Sequence, residues 1–327
     1  MTLKGAPFDG KRFLNLEPVR IKTLRDVFKW QLKNQRQAWP RWIESSAQAV
    51  IPVQIAKGQA HVTFVNHATV LVQTSEFNFL TDPVWSKRVS PFSWAGPARV
   101  REPGIQFDRL PRIDAVLVSH NHYDHLDIET LKRLDTQFSP LFYVALGDAK
   151  ILRQAGIRQV QEMNWWTCHT DRSAQITFLP AQHWSGRWTY DRCRSLWGSF
   201  GIEIEGAKIY FAGDTGWSPH FKMIQENWGS PDLALFPIGA YEPRWFMKDF
   251  HMNPEDAVQA FLDLRARFAM AIHFGTWQLT DEGIDQPFED LGKALAKHQI
   301  SSKKFFTLPQ GGGWDLGPMP RIPNSFI

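Results

Sequence analysis

Histidine and aspartate residues in the middle of the chain are the feature best suited to chemistry. The segment Ser119–Asp127 reads SHNHYDHLD and follows a short apolar run typical of a buried strand. Because side chains two apart in extended backbone point the same way, His120 and His122 can share one centre. Asp124 and His125 can then face a second. Imidazole and carboxylate are ligands that zinc prefers, so the segment predicts a metal site.

Two metal centres need more ligands than one loop can supply, and other predicted strand ends carry them. His183 follows a strand and the residues LPAQ, Asp214 lies in the turn FAGDTG, and His273 ends the run MAIH. Each residue alone is a weak signal, since a lone histidine is more often structural. Together with the central segment they predict a catalytic site with two metals and a position left open for water.

The elements that must position these residues are short strands with helices between them. Alternating or apolar runs predict strands at His61–Phe64, Thr69–Gln73, Phe77–Leu80, Ala115–Val118, Ile176–Leu179, Phe200–Ile204, Lys208–Phe211, Leu233–Phe236 and Met270–His273. Helical periodicity covers Ile128–Leu134 and Pro254–Phe268. Strands with helices interspersed on the outside indicate a layered α/β domain.

The first 57 residues form a basic amphipathic extension, and residues 58–327 form the domain that carries the metal site. Between Val19 and Arg41, seven basic residues accompany a single acid, Asp26. Apolar residues recur at helical spacing, with Trp30 and Trp39 nearby, at Ile21, Leu24, Phe28 and Leu32. Such a helix either docks on the body of the protein or lies on an anionic membrane surface.

Composition excludes several classes of protein. With 43% hydrophobic and 21% charged residues and a net charge of +4, the chain is typical of soluble globular proteins, not of disordered, collagenous or multi-span membrane proteins. It lacks a secretory signal, so we expect a cytoplasmic protein. Its two cysteines, Cys168 and Cys193, form no CxxC pair, which indicates neither a disulfide framework nor a thiolate metal site. The 15 Trp and 24 Phe suit apolar ligands.

Six strings of residues match one known family more closely than a metal motif alone requires. They are FLTDP (79–83), SHNHYDHLD (119–127), QHW (182–184), FAGDTG (211–216), PIGAYEPRWFMK (237–248) and IHFGT (272–276). The long IGAYEPRWFMK string is by far the most specific. From about Val62 to Gly283 the chain resembles the N-acylphosphatidylethanolamine-hydrolysing phospholipase D family of metallo-β-lactamase-fold hydrolases.

This resemblance implies a four-layer αββα sandwich with a two-zinc centre at one edge of its sheets. One zinc would be held by His120, His122 and His183, and the other by Asp124, His125 and His273, with Asp214 bridging the two. A hydroxide shared by the metals would attack the phosphorus of N-acylphosphatidylethanolamine, releasing N-acylethanolamine and phosphatidic acid. The family also implies a phospholipid substrate and a homodimer. Whether the ions are zinc, iron or manganese stays open.

Two further residues are expected to support the ligands, and others to handle protons. Asp82, at a strand end, is the carboxylate we expect to orient a ligand imidazole. His67 either lies at the site or is a hydrogen-bonded core histidine. The leaving alkoxide would take its proton from His251, from Asp124, or from a metal-bound water.

Substrate contacts are expected from basic and aromatic residues near the family strings. Arg187, Arg244 and Lys248 are candidate phosphate contacts, although Arg244 beside Trp245 would equally suit a structural ion pair. Four tryptophans directly follow ligand segments and would wall a groove: Trp184, Trp188, Trp217 and Trp277. Three aromatics in the irregular stretch Val84–Pro103 either dip into lipid or cap the core: Trp85, Phe92 and Trp94.

Alternative functions remain at this point. A soluble lactonase or phosphodiesterase would share the two-metal site, and a non-catalytic lipid-binding protein would keep a zinc site as a structural element. Nucleic acid ranks last, because no basic stripe interleaved with aromatics lies beyond the N-terminal helix. We therefore expect a phospholipid and a membrane surface as partners, with the protein cytoplasmic and peripheral on the membrane.

Overall fold

The computed structural model describes residues 5–20, 22–33, 35–44 and 49–317. Short strands and helices follow one another along these residues, with one short 3-10 helix at Phe107–Arg109. In chain order the elements are α1 (Leu24–Lys33), β1 (Ala60–Asn66), β2 (Thr69–Gln73), β3 (Asn78–Thr81), β4 (Ala115–Val118), α2 (Ile128–Phe138), β5 (Leu141–Ala145), α3 (Ala149–Gln154), β6 (Val160–Met163), β7 (Cys168–Asp171), β8 (Ala174–Leu179), β9 (Ser199–Ile204), β10 (Ala207–Phe211), α4 (His220–Asn227), β11 (Leu233–Pro237), α5 (Arg244–Met247), α6 (Pro254–Asp263), β12 (Phe268–Ile272), α7 (Gln286–Lys297), β13 (Phe305–Phe306) and β14 (Gly313–Leu316).

The strands form two sheets of similar design. The first is a seven-stranded sheet in the order β14-β1-β2-β3-β4-β5-β6, and the second has the order β13-β12-β11-β10-β9-β8-β7. In the first sheet the pairs from β14 to β3 are antiparallel and those from β3 to β6 are parallel. In the second the pairs from β7 to β10 are antiparallel and those from β10 to β13 are parallel. Both sheets are therefore mixed.

The main core lies between the two sheets. Alternate residues of β4 show how one strand serves two layers: Ala115 and Leu117 join the core between the sheets, whereas Val116 and Val118 pack beneath the outer helices. A strand buried on both faces reads as a continuous apolar run, which is why its sequence shows no polar alternation.

Helices cover the outer face of each sheet. Leu131 and Leu134 of α2 and Leu152 of α3 pack on the first sheet, and Ala257, Val258 and Phe261 of α6 join the core of the second. The expected four-layer αββα sandwich is thus confirmed.

The helix expected at Pro254–Phe268 is shorter than predicted. It ends at Asp263, because Arg265 adopts a left-handed φ of 51° and Phe268 already pairs with Leu233 as the first residue of β12. Helices α3, α4, α5 and α7 were not predicted, nor were strands β5, β6, β7, β13 and β14.

The N-terminal segment lies along the metal-bearing domain. Its backbone donates hydrogen bonds from Phe13 N to Cys193 O at 2.8 Å and from Ile43 N to Val100 O at 2.7 Å. Ile21 and the side chain of Leu24 fall outside the described residues, and the other two members of the expected apolar stripe, Phe28 and Leu32, are 63% and 69% exposed. Helix α1 therefore turns this part of the stripe to solvent. Among the described residues no helix combines the length and apolar character needed to cross a bilayer.

Candidate metal centre

Loops at one edge of the sandwich bring the chemistry-bearing residues together. The loop with His120, His122, Asp124 and His125 follows β4 of the first sheet, and the other ligand candidates follow strands of the second sheet. His183 follows β8, Asp214 follows β10 and His273 follows β12. These three strands run in the same direction, so their carboxyl ends meet at the same edge.

The first cluster consists of three histidines. His122 Nδ1 lies 2.8 Å from His120 Nε2 and 3.3 Å from His183 Nε2. A tetrahedral ion bound at about 2.0–2.1 Å needs ligand atoms about 3.3 Å apart. The three nitrogens therefore converge at a spacing that suits one small cation.

The second cluster combines Asp124, His125 and His273. Asp124 Oδ2 lies 3.4 Å from His125 Nε2 and 3.6 Å from His273 Nε2. Asp214 stands between the two clusters: its Oδ1 is 3.1 Å from His273 Nε2, and its Oδ2 is 3.3 Å from His125 Nε2 and 3.8 Å from His183 Nε2. All seven predicted ligands thus meet in one place, with Asp214 where a bridging carboxylate would lie.

Unsatisfied polar atoms in this group fit a bound cation. Among the described residues, His125 Nε2, His273 Nε2 and Asp214 Oδ1 are buried without a hydrogen-bond partner. A buried polar atom left without a partner costs about 1–3 kcal/mol, and Asp124 and Asp214 add negative charge to the same site. Divalent cations would satisfy both the nitrogens and the carboxylates, so the residues fit the metal that the fold implies.

The protonation states of the first cluster and of Asp214 also suit metal binding. Burial lowers the pKa of His122 to about 3 and holds the pKa values of His120 and His183 well below the ordinary range. Burial would raise the pKa of Asp214, but the neighbouring His273 and His125 outweigh it and keep that pKa well below its usual value. Burial would lower the pKa values of His125 and His273, but Asp214 and Asp124 outweigh it, so the pKa of His125 lies well above its ordinary range and that of His273 is about 9. Neutral imidazoles and ionised carboxylates are the forms that bind a metal ion, so a metal ion in the second cluster would displace a proton from each of these two histidines.

Asp82 and His67 flank the second cluster. The fully buried Asp82 carboxylate accepts hydrogen bonds from Ser119 N at 2.7 Å and Ser119 Oγ at 2.6 Å, and lies 2.6 Å from His125 Nδ1. That contact leaves His125 Nε2 to face the cluster, as expected for an orienting carboxylate. His67 Nε2 lies 3.1 Å from Asp124 Oδ2, and the His67 carbonyl accepts from His273 N at 2.6 Å. The structure thus brings His67 to the site.

His251 lies beside the first cluster at the floor of a pocket. Its Nδ1 is 3.7 Å from Asp214 Oδ2, and its ring centre is 5.0 Å from that of His183. Burial lowers the pKa of His251 to about 4, so its imidazole is neutral at neutral pH. A neutral imidazole in this position can donate one hydrogen bond to a substrate atom or accept one from it.

Arg187 does not reach the pocket, which corrects its expected role as a phosphate contact. Its Nη1 donates to the carbonyls of Asn121 and Leu126 at 3.0 and 2.8 Å, and its guanidinium stacks 3.9 Å from the Tyr123 ring centre. The guanidinium therefore holds the loop Ser119–Asp127, which we call the metal loop. Asn121 continues this support, because its side chain accepts from Gly186 N and donates to the buried carboxylate of Asp148.

Two other expected phosphate contacts also do not line the pocket. Arg244 donates to His251 O and pairs with Asp256, so the alternative of a structural ion pair is the one realised. Lys248 is exposed and does not line the pocket. The long family string therefore positions His251 through backbone and ion-pair contacts without bringing Arg244 or Lys248 to the pocket.

The tryptophans fall in different places. Trp184 lines the pocket, with its ring centre 4.2 Å from that of His122. Trp277 is buried behind the metal cluster against His67, and Trp217 is 43% exposed and bonded to Asp263, so neither walls the pocket as expected. Trp188 is half exposed and does not line the pocket.

The three aromatics of the irregular loop also separate. Trp85 packs against Phe107 and caps the core beneath the outer helices. The rings of Phe92 and Trp94 contact each other at a tilt of 34°, with centres 5.4 Å apart, and the two residues are 47% and 77% exposed. Trp85 therefore caps the core, whereas Phe92 and Trp94 lie at the surface.

A pocket of about 360 Å³ opens onto the cluster, and we call it the substrate pocket. Its floor includes His122, Asp124, Asp214 and His251, and its walls are mostly apolar. The apolar wall residues are Val27, Trp30, Trp184, Ala240, Phe246, Met247, Phe250 and Leu279.

Two cations in this wall were missed from the sequence: Lys22 and Arg192. The Lys22 ammonium lies 2.9 Å from Asp249 Oδ2, and Arg192 stacks 4.4 Å from the Trp184 ring centre. Lys22 belongs to the basic N-terminal run, for which the sequence predicts docking on the body or contact with a membrane and no substrate contact. Arg192 belongs to no motif, so no local signal could have revealed it.

Comparison with known proteins supports the assignment of the His/Asp cluster as a metal centre. The family model described as the β-lactamase superfamily domain matches residues 77–274. An N-acyl-phosphatidylethanolamine-hydrolyzing phospholipase D of Caenorhabditis elegans is 40% identical over 267 residues, which is 77% of this chain and 75% of that protein. An uncharacterized protein of Mycobacterium tuberculosis is 38% identical over 309 residues, 88% of this chain and 79% of its own length.

Among solved structures, the metallo hydrolase Igni18 of the archaeon Ignicoccus hospitalis superposes with a TM-score of 0.59 at 20% identity, covering 79% of this chain and 99% of that one. That likeness shows the fold. The matched domain, the extent of the sequence identity and the His/Asp cluster at the sheet edge lead to one conclusion. The chain belongs to the β-lactamase superfamily of metal-dependent hydrolases and, within it, to the family of the N-acyl-phosphatidylethanolamine-hydrolysing phospholipases D.

Proposed function

We propose that this protein is a phosphodiesterase of the phospholipase D type that hydrolyses N-acylphosphatidylethanolamine. Water adds at phosphorus, the bond from phosphorus to the ethanolamine oxygen breaks, and the products are phosphatidic acid and N-acylethanolamine. The observation that carries the proposal is the substrate pocket, which joins an apolar wall and two cations to the His/Asp cluster. A lipid with a phosphodiester headgroup has the matching chemistry, and a 40% identical relative is named for this reaction.

The cofactor that we propose is a pair of zinc ions. The histidines of the first cluster would hold one ion, and Asp124, His125 and His273 the other, with Asp214 between them. When bound, such ions lower the pKa of water and neutralise charge on phosphoryl oxygens. Neither a serine nor a cysteine is among the described residues that line the pocket.

The remaining pocket residues bind and orient the substrate in this proposal. His251 offers a neutral imidazole beside Asp214, at hydrogen-bonding reach of a group in the pocket. Lys22 and Arg192 attract the phosphate, and the apolar wall takes hydrocarbon and excludes water from the reacting groups. The N-terminal segment contributes to both tasks, since Lys22, Val27 and Trp30 come from it.

We also propose that the outer face of α1 contacts the membrane that holds the substrate. Phe28 and Leu32 are exposed on this face beside Lys29 and Lys33, whereas Val27 and Trp30 line the substrate pocket. An apolar surface with basic residues suits an anionic bilayer. One helix would thus place the bilayer next to the pocket.

Product analysis tests the reaction directly. The zinc-loaded protein, its Asp124→Asn variant and an Asp108→Asn control are incubated with N-acylphosphatidylethanolamine in mixed micelles. Asp108 is exposed and belongs neither to the His/Asp cluster nor to the lining of the substrate pocket. We expect mass spectrometry to find both products with the wild type and the control and neither with Asp124→Asn. Absence of both products from the wild type, with its metals bound, would contradict the proposed substrate.

A further inference from the structure

A second cavity, of about 280 Å³, lies beneath the N-terminal segment, and we call it the N-terminal cavity. One side is formed by residues of the segment: Phe13, Leu14, Asn15, Glu17, Pro18 and Val19. The other side is formed by Trp184, Arg192, Cys193, Trp197 and Phe250. Most of these side chains are apolar, and Trp197 and Phe250 are buried.

The N-terminal cavity shares a wall with the substrate pocket. Trp184, Arg192 and Phe250 line both. Trp184 also packs on His122 of the metal cluster, and the Phe250 carbonyl lies 2.9 Å from His183 Nδ1. The wall is therefore fixed directly to the catalytic centre, so a ligand that spans it would have a defined position relative to that centre.

Arg192 is the charged group of this wall. Its Nη1 donates to the carbonyl of Lys22 at 3.3 Å and its guanidinium stacks on Trp184, while its Nε is buried without a partner. Among the ion pairs of the described residues, none includes Arg192. A guanidinium keeps its charge in a protein and offers donors in a fixed fork that matches phosphate. Spare donors at the boundary of two apolar cavities suit the anionic group of an amphiphile.

We propose that the N-terminal cavity binds one hydrocarbon chain of an anionic amphiphile, the lipid substrate, and that Arg192 contacts the phosphate of the same molecule. This inference rests on the proposed function, because it takes the ligand at the metal cluster to be a phospholipid. The chain then runs from the shared wall into the space beneath Phe13–Val19, while the headgroup stays in the substrate pocket. The N-terminal segment becomes part of the binding site in addition to its contact with the membrane.

Binding of alkyl phosphates tests the proposal without any hydrolysis. Hexyl, octyl and decyl phosphate, each below its critical micelle concentration, are titrated by calorimetry into the zinc-loaded full chain. We expect Kd to fall by about fourfold for each methylene that enters the cavity. Val19→Trp, which fills the cavity, should flatten this dependence, and Leu14→Trp at its exposed rim should act in the same direction. Val53→Trp, at a position 98% exposed, is the control and should behave as the wild type.

Arg192→Gln tests the anionic contact. It should raise Kd for all three alkyl phosphates by a similar factor, about tenfold or more, without changing the dependence on chain length. Arg194→Gln, exposed in the same loop, should bind as the wild type.

The same titrations can overturn the proposal. It fails if the two tryptophan variants keep the chain-length dependence of the control, if wild-type affinity is independent of chain length, or if Arg192→Gln binds as Arg194→Gln does. Hydrolysis of N-acylphosphatidylethanolamine is scored separately. A protein that passes the binding test but releases no product retains the chain site and loses the proposed substrate.

Discussion

Asp82 connects the metal loop to one of its own ligands, because its carboxylate contacts both Ser119 and His125. Replacing Asp82 by Asn exchanges one carboxylate oxygen for an NH2 group. That group cannot accept a hydrogen bond from His125 Nδ1, which now contacts an oxygen. We expect Asp82→Asn to bind zinc about 10–100-fold more weakly, measured by competition with a chelator. The exposed Asp108→Asn serves as the control. Unchanged zinc affinity would show that the Asp82 carboxylate does not orient a ligand.

In the proposed function His251, which lines the substrate pocket, acts on the substrate, and its substitution separates that role from metal binding. We expect His251→Gln to lower kcat by at least about a hundredfold, the range of a lost general acid–base group, with two metals still bound. Activity and metal content are measured on the same sample. His298→Gln, whose histidine pairs with Glu255 on the surface, is the matched control. Loss of metal together with activity would instead make His251 a ligand.

Asp148 gives the stability of the protein a pH dependence that can be assigned to one residue. Burial raises the pKa of Asp148 from 3.8 to about 7, so between these values the folded protein holds this proton more tightly than the unfolded chain. This contribution is fully present below about pH 4 and is lost as pH rises through about 7. Asp148→Asn should therefore gain stability relative to the wild type between pH 5 and pH 8, by about 2.7 kcal/mol.

Urea unfolding of both proteins at the two pH values measures the gain, with Asp108→Asn as the control. A difference between Asp148→Asn and the wild type that stays constant with pH would show that Asp148 is ionised throughout this range.

The ligand candidates could be predicted from the sequence because each one directly follows or lies near a predicted strand end. His183, Asp214 and His273 follow strands whose carboxyl ends share one edge. Phosphate contacts were harder, since an arginine near a motif says nothing about the direction of its side chain. Arg187 turns to backbone carbonyls, whereas Lys22 and Arg192 reach the pocket from distant parts of the chain.

At the scale of elements, α1 presents two different faces to two environments. Val27 and Trp30 face the substrate pocket, and Trp30 Nε1 donates to Asp281 Oδ2 at 2.8 Å, whereas Phe28 and Leu32 are exposed. The amphipathic pattern predicted a helix here, but periodicity alone could not show which residues dock. Which residues dock depends on contacts with residues more than 200 positions away in the sequence, such as the contact of Trp30 with Asp281.

The outer face of α1 leads to a prediction about membranes. We expect Phe28→Ser/Leu32→Ser to bind anionic vesicles at least about tenfold more weakly, because each side chain would contribute about 1.5–3 kcal/mol when buried in lipid. Hydrolysis of a monomeric short-chain substrate should be unchanged. Leu262→Ser, at a position 41% exposed on α6, is the control in vesicle sedimentation. Equal sedimentation of both variants would remove α1 from the membrane contact.

Strands were predicted more accurately than helices. The bounds of β2 and β4 agree with the sequence expectation, because short apolar or alternating runs flanked by polar residues admit few other registers. Helix α3 has only six residues and α4 begins at a buried histidine, so neither shows a clear helical stripe. The fold class followed from the order of strands and helices even without these elements.

At the scale of the whole molecule, the N-terminal segment connects the outer surface to the metal cluster. Asn15 Oδ1 accepts from His183 N at 3.0 Å and its Nδ2 donates to His183 O at 2.9 Å, so this segment holds the backbone of a ligand candidate. Trp39 Nε1 donates to Glu282 O at 2.9 Å further along. A boundary near residue 57 therefore divides the sequence by composition, while the packing is continuous across it.

This continuity predicts that the segment and the metal-bearing domain unfold together. We expect a chain beginning at Gly58 to unfold at a lower temperature than the full chain, by roughly 10 °C if about 3–5 kcal/mol of stability is lost. Calorimetry of both proteins measures the shift. If the shortened chain does not fold, Asn15→Ala still tests the link, because it removes only the two hydrogen bonds to His183.

We expect Asn15→Ala to weaken zinc binding by about tenfold, as supporting residues of ligands do. Asn227→Ala, whose exposed side chain bonds only within α4, is the control and should bind zinc as the wild type does. Equal zinc affinity of the two variants, together with an unchanged unfolding temperature on truncation, would make the N-terminal segment an independent appendage. Weaker binding by Asn15→Ala alone would instead mean that the N-terminal segment and the metal cluster form one structural unit.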